Sequence, residues 1–210
     1  MVLLSVALAG LMLGFGNKDI PEKIVKLGLK KWYSALSESN KVKLGRYVAA
    51  ADGSSVSSFL ITVFKAAEED HNYKFIADLY DTIGEFKLSD IDRFDINDAA
   101  IIGVYNAEEY DRCVELCEYG LGLMGNTDVF DHVMAKGNGD IPNEINCRNY
   151  LLNVVVGIHF EYDEGDKLLL RFKDMGLISA EDVEYRRNAI KTFRLQRTFD
   201  NVFNVKEKEQ

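Results

Sequence analysis

The chain has 210 residues, 47% of them hydrophobic and 28% charged, a composition typical of a folded globular protein rather than a disordered one. Its formal net charge of −9 excludes a general nucleic-acid-binding protein, which needs a basic face. Three cysteines in this length exclude a disulfide framework, so a reducing, cytoplasmic compartment is expected.

The first sixteen residues, MVLLSVALAGLMLGFG, form an apolar segment without a charged side chain. A secretory signal peptide normally begins with positive residues, which this segment lacks. It is also shorter than the roughly 20 residues that a membrane-spanning helix requires. Three interpretations stay open: a membrane-associating segment, an upstream extension with the true start at Met12, or a poor signal peptide.

From Asp19 onward, apolar residues recur with the period of an α-helix, and no segment alternates as a β-strand would. The pattern predicts about ten helices, over roughly residues 21–36, 40–51, 56–67, 73–84, 99–105, 107–124, 129–135, 145–159, 165–176 and 179–199. Short breaks between them favour antiparallel helical hairpins. A single helical domain is therefore expected over residues 17–205, with a disordered tail at 206–210.

Helix starts are marked by a short polar residue followed three positions later by an acidic one, as in a capping box. Three segments have this spacing: Ser89 with Asp92, Asn106 with Glu109, and Ser179 with Asp182. The second of these predicts the start of the helix that carries two of the three cysteines.

Two predicted helices share one layout, a tyrosine followed by packing residues three, seven and ten positions later. They are Tyr73, Ile76, Tyr80 and Ile83 in one helix, and Tyr110, Cys113, Cys117 and Gly120 in the other. The two tyrosines are 37 residues apart, which is close to the repeat length of about 34 in one class of helical-repeat protein. A weaker third copy lies in residues 159–172.

This layout resembles the tetratricopeptide-repeat (TPR) family, in which the second helix of each hairpin carries aromatic, small, large and small residues at these four places. The resemblance covers residues 54–176 loosely and is clearest over 98–124. Two parts of the family motif are missing: the Leu-Gly pair, replaced by Ala100–Ile101, and the repeat-ending proline. The resemblance implies an all-α stack of antiparallel helical hairpins in a TPR-like right-handed superhelix, and a plain helical bundle is the alternative.

In such stacks the first helices of the hairpins line a concave surface. By resemblance, the chain is expected to be a non-enzymatic scaffold that binds a peptide or helix of a partner protein there. The expected contact residues are Lys65, Glu69, Asp95, Asp98, Tyr105 and Asn106. Residues 66–140 carry eighteen Asp and Glu against five Lys and Arg, so the partner segment is expected to be rich in Lys or Arg. Self-association is compatible with this function.

Cys113 and Cys117 support a different hypothesis, an enzyme or metal-binding helical protein, because side chains four apart lie on one helix face. Zinc needs three or four ligands, and the other candidates are scattered along the chain: Cys147, His71, His132 and His159. Buried free cysteine behaves as a small hydrophobe, so a packing role is favoured. No cofactor, metal ligand or catalytic residue is assigned.

A further alternative is a membrane-tethered helical adaptor. Residues 17–46 carry eight Lys and Arg against three Asp and Glu, a net charge of +5. If residues 1–16 are the anchor, this basic stretch would face anionic lipids. The expected localisation would then be membrane-associated instead of cytoplasmic.

Overall fold

The computed structural model describes residues 20–208, and it describes side chains as far as residue 199. All regular structure in this range is helical, which confirms the all-α prediction for the part of the chain described. The apolar segment at residues 1–16 lies outside the described residues. Between residues 20 and 208, no helix is both long and apolar enough to cross a membrane.

Eleven α-helices and one π-helical segment, Asn153–Ile158, follow one another within these residues. The α-helices are α1 (Glu22–Lys26), α2 (Lys30–Ala35), α3 (Glu38–Tyr47), α4 (Val56–Glu69), α5 (Tyr73–Tyr80), α6 (Asp90–Asn106), α7 (Tyr110–Leu123), α8 (Thr127–Ala135), α9 (Asn146–Leu152), α10 (Tyr162–Asp174) and α11 (Ala180–Lys208). The apolar period predicts a helix here only from residue 99, whereas α6 begins at Asp90, directly after the predicted cap at Ser89. Helix α11 continues past the predicted end at residue 199 into the range of the predicted tail.

The single helix predicted over residues 21–36 is two helices, α1 and α2. Gly28 between them has a φ of 73°, a left-handed conformation that glycine adopts at little steric cost. The Lys23 ammonium donates hydrogen bonds to the carbonyls of Ala49, at 3.0 Å, and Ala51. These carbonyls follow α3, so Lys23 joins α1 to the end of that helix.

Two of the three predicted caps are confirmed. The Ser89 hydroxyl accepts the N–H of Asp92 at the start of α6, and Ser179 makes the same bond at the start of α11. The third prediction is wrong, because Asn106 is the last residue of α6 and its amide donates back to the Ile102 carbonyl. Helix α7 begins without a side-chain cap, after Glu108 has turned the chain with a φ of 62°.

Helix α6 lies at the centre of the fold and packs against α4, α5, α7, α8 and α9. Five of its apolar side chains are almost completely buried, namely Phe94, Ile96, Ala100, Ile101 and Val104. Gly103 allows close contact with α5, because a Cβ atom at this position would lie 2.6 Å from the Ile76 side chain. A larger residue at position 103 would push the two helices apart.

A buried amide, that of Asn97, connects α6 to two neighbouring helices. Its oxygen accepts the hydroxyl of Tyr80 in α5 at 2.7 Å, and its nitrogen donates to the carbonyl of Leu116 in α7 at 2.9 Å. Burial raises the pKa of Tyr80 to about 12, so the phenol stays protonated and can donate. The bond to Leu116 is fully buried and the bond from Tyr80 is partly buried, so water competes little for the Asn97 amide.

Three turns between helices share one backbone conformation, in which the middle residue has a positive φ. The turns join α4 to α5, α6 to α7, and the π-helical segment to α10, and their middle residues are His71 (55°), Glu108 (62°) and Phe160 (60°). In each turn the next residue donates its N–H back into the preceding helix, in the manner of a Schellman motif. Each following helix begins with a tyrosine: Tyr73, Tyr110 and Tyr162.

The helix predicted over residues 145–159 changes from α to π geometry after Leu152. In the turn that follows, the Glu161 N–H bonds to the carbonyl of Val155, six residues earlier, whereas the other two turns bond five residues back. The wider π-helical turn accounts for the extra residue. Gly165 of α10 packs directly on Val156 of this segment, leaving no space for a Cβ atom.

Replacing Asn97 should destabilise the fold more than replacing an exposed asparagine on the same helix. Asn97→Ala removes the acceptor of the Tyr80 hydroxyl and one donor to the Leu116 carbonyl, and it leaves a small cavity, so we expect a loss of about 2–4 kcal/mol in the free energy of unfolding. Asn106→Ala is the control, with an expected loss below about 0.5 kcal/mol. Urea denaturation measures both, and equal losses would contradict the assigned role of Asn97.

Candidate functional site

A groove of about 960 Å³ lies between α4 and α6. It is lined by α4 from Ile61 to Glu69 and by α6 from Asp95 to Ile102. His71 and Tyr73 also line it, as do Lys136, Glu144 and Asn146. We call this feature the α4–α6 groove.

The structure brings four of the six predicted contact residues together in this groove: Lys65, Glu69, Asp95 and Asp98. The side chains of Lys65 and Glu69 are exposed and, among the described residues, make no hydrogen bond or ion pair. Tyr105 and Asn106 do not line the groove. The Tyr105 ring packs against those of Tyr110 and Tyr150, with ring centres 5.6 and 4.7 Å away.

Asp95 lines the groove but is already paired within the protein. Its carboxylate lies 2.7 Å from the Lys136 ammonium and 2.9 Å from Nε2 of His132. His132 belongs to α8 and Lys136 directly follows that helix, so both partners of Asp95 come from this part of the chain. An incoming cation would have to compete with Lys136 for this carboxylate.

Asp98 holds the start of α9. Its carboxylate accepts the backbone N–H groups of Cys147, at 2.8 Å, and Asn146, at 3.2 Å, and the Asn146 amide donates to the Asp98 carbonyl. Burial raises the pKa of the Asp98 carboxyl, while the two N–H donors act in the opposite direction. The contact spans 49 residues of sequence, so no local pattern around Asp98 could have indicated it.

Among the described groove residues, the carboxylates that make neither an ion pair nor a hydrogen bond are those of Glu68, Glu69 and Glu144. Lys65 is the one unpaired ammonium described in the groove, so the free side chains sum to a charge of −3 + 1 = −2. Sequence reasoning missed Glu68 and Glu144. Glu68 could have been found, because Ile61, Lys65 and Glu68 follow helical spacing along one face of α4.

One tyrosine, Tyr73, lines the groove together with these carboxylates. Burial raises the pKa of the Tyr150 phenol, and the Glu68 carboxylate adds to this rise. The Tyr73 hydroxyl is 2.7 Å from Nδ1 of His71 at the groove. Carboxylates beside aromatic rings form a suitable surface for lysine or arginine side chains.

All three cysteines are fully buried and free. A hydrogen bond with Cys113, together with burial, raises the pKa of Cys117. Burial and the Asp98 carboxylate raise that of Cys147. Protonated, buried thiols are poor nucleophiles and poor metal ligands. Within residues 20–199, no group of three or more His, Cys, Asp or Glu side chains is placed to hold a metal ion.

The Asp98 cap generates a prediction about stability. Asp98→Ala leaves two backbone N–H groups of α9 without acceptors, so we expect a loss of about 2 kcal/mol in the free energy of unfolding. Asp98→Asn retains one acceptor oxygen and should lose about half as much. Asp95→Ala, on the same wall, removes only partly exposed ion pairs and should lose less than about 1 kcal/mol. A larger loss for Asp95→Ala than for Asp98→Ala in chemical denaturation would contradict this assignment.

The burial of the thiols predicts how they react. In the native protein none of the three should react with an aromatic disulfide reagent faster than the fold opens, because thiolate formation and access are both suppressed. In denaturant all three should react at once. Rapid modification of one thiol in the native protein would show an accessible thiolate and contradict the packing role.

No protein-family model, curated protein sequence or solved structure matches this chain. The groove and its charges are therefore the observations from which a function can be proposed.

Proposed function

We propose that the chain is a non-enzymatic protein-interaction scaffold whose α4–α6 groove binds a Lys- or Arg-rich segment of a partner protein. The observation that carries this proposal is the set of unpaired carboxylates, Glu68, Glu69 and Glu144, in a groove that Tyr73 also lines. An excess of negative charge at a concave surface favours a cationic ligand.

The relation of the helices supports a TPR-like arrangement behind this groove. Helix α6 packs on α4 and on α9. Helices α4 and α6 are followed by the turns at His71 and Glu108, and α9 with its π-helical extension is followed by the turn at Phe160. The proposed hairpins are α4 with α5, α6 with α7, and α9 and its π-helical extension with α10. Helices α4, α6 and α9 would then be the first helices of successive repeats, which line the concave surface in such stacks.

The spacing of the turns fits the same proposal. The middle residues His71 and Glu108 are 37 positions apart, and Glu108 and Phe160 are 52 apart. The difference of 52 − 37 = 15 residues is accounted for by α8 and the segment after it, which we interpret as an insertion between the second and third hairpins. The third hairpin repeats the tyrosine layout, with Tyr162, Gly165, Leu169 and Phe172 at the same spacing.

The groove also indicates what else the partner segment should carry. Exposed ion pairs contribute only about 0–1 kcal/mol each, so charges alone would bind weakly. Between the carboxylates the groove presents the apolar side chains of Ile61, Ala99 and Ile102. We therefore propose an amphipathic partner segment, with apolar residues between the Lys or Arg residues, laid into the groove as a peptide or a helix.

Selection from a random peptide library on the full chain tests this proposal. The selected peptides should be enriched in Lys and Arg and should bind more weakly as salt is raised. Glu68→Lys combined with Glu69→Lys should weaken their binding by about tenfold or more, which corresponds to about 1.4 kcal/mol. Fluorescence anisotropy with one labelled selected peptide measures the change.

A matched control is available on α7, where Asp111 and Glu115 are both exposed and, among the described residues, make no ion pair. Asp111→Lys combined with Glu115→Lys changes the net charge by the same amount without touching the groove. This variant should keep most of the affinity. Equal losses of affinity in the groove variant and the α7 variant would show that only the net charge matters and would contradict the proposal. Selection of peptides without Lys or Arg would also contradict it.

A further inference from the structure

The Asp95 carboxylate lies between two basic side chains, and only one of them faces the α4–α6 groove. Nε2 of His132 is 2.9 Å from Oδ2 and 3.1 Å from Oδ1, and the Lys136 ammonium is 2.7 Å from Oδ1. Lys136 lines the groove, whereas His132 is not among the residues that line it. The imidazole therefore holds the carboxylate from outside the groove, and Lys136 covers it on the side that a ligand would approach.

Lys136 holds this carboxylate weakly. Its side chain is 50% exposed, and its ammonium makes no other hydrogen bond among the described residues. Water screens an ion pair of this kind, so it contributes little. The Asp98 carboxylate, one turn further along α6, instead accepts two backbone N–H groups at the start of α9. Asp95 is therefore the carboxylate of this wall that can exchange its cation.

The backbone at Lys136 is anchored, so a displaced ammonium stays close to the groove. The Lys136 N–H donates to the Val133 carbonyl at the end of α8. The next residue, Gly137, leaves no space for a Cβ atom, because that atom would meet the Asp140 carbonyl oxygen. Only the flexible four-carbon stem of the lysine has to move for its ammonium to leave. A group tethered in this way competes at a high effective concentration.

We propose that Asp95 is a further anionic subsite for a Lys or Arg of the partner, and that Lys136 is a built-in competitor that occupies this subsite in the free protein. The inference rests on the proposed function of the groove and describes its regulation. A cationic side chain of the partner would displace the Lys136 ammonium from Oδ1, while His132 keeps the carboxylate in place. The displaced ammonium would move into solvent, where it is strongly hydrated.

This competition affects which segments bind. At Asp95 a cationic segment exchanges one ion pair for another, so this contact adds little affinity. The remaining affinity has to come from the unpaired carboxylates, Glu68 and Glu69, and from the apolar side chains between them. Lys136 thereby disfavours segments with a single cation and favours segments with several.

Replacing Lys136 by methionine tests the competition, because methionine keeps an unbranched apolar stem and has no charge. Lys136→Met should raise the affinity for a labelled peptide selected on the wild-type chain about fivefold, the factor that corresponds to an exposed ion pair of about 1 kcal/mol. Fluorescence anisotropy measures the dissociation constant. Lys65→Met is the matched control, because Lys65 lines the same groove without an ion pair. At physiological salt this control should change the affinity less than about twofold.

A double-mutant cycle identifies the carboxylate for which Lys136 competes. Asp95→Asn removes the charge and keeps an acceptor oxygen for His132. In the Lys136→Met background, this substitution should weaken peptide binding about fivefold more than it does in the wild type. In the Lys65→Met background its effect should match that in the wild type. Equal effects of Asp95→Asn in the wild type and in Lys136→Met would overturn the proposed competition.

The peptide measurements separate this inference from the proposed function. The groove variant, Glu68→Lys with Glu69→Lys, reports on the function alone. If it loses binding but Lys136→Met and Lys65→Met change the affinity equally, the groove binds the peptide and Lys136 acts only through net charge. The competition is then wrong and the proposed function stands. If no Lys- or Arg-rich peptide is selected on the wild type, both are wrong.

Circular dichroism melting separates a change in binding from misfolding. Lys136→Met removes a partly exposed ion pair, so this variant should melt within a few degrees of the wild type. If it melts earlier, Lys136→Gln provides a second uncharged variant. A gain in affinity of the same size in Lys136→Gln supports the competition, and an unchanged affinity contradicts it.

Discussion

The hydrogen bonds of Asn97 and Asp98 fix α6 against three of the helices around it. Asn97 bonds to α5 and α7, and Asp98 binds the first N–H groups of α9. Hydrophobic burial is not directional, so apolar contacts specify the register of these helices less sharply than hydrogen bonds do. A buried polar group that loses its partner costs about 1–3 kcal/mol, so these bonds favour one register of α6 over its neighbours.

This arrangement determines where the groove carries its free charge. Because Asp98 is committed to α9 and Asp95 to Lys136, the carboxylates of the α6 wall hold the fold together. The unpaired carboxylates lie on α4, at Glu68 and Glu69, and at Glu144 before α9. The two walls of the groove therefore differ. The carboxylates of the α6 wall are bonded within the protein, whereas those of the α4 wall, Glu68 and Glu69, are unpaired.

Local patterns predicted the parts of the fold that depend on local physics. The apolar period located α4 and α7, and the capping spacing located the starts of α6 and α11. The break between α1 and α2 depends on the left-handed conformation of Gly28. Because glycine also occurs inside helices, its presence in the sequence did not predict this break. The role of Asp98 depends on residues far along the chain. Sequence reasoning therefore placed Asp98 in the groove but assigned it to a partner.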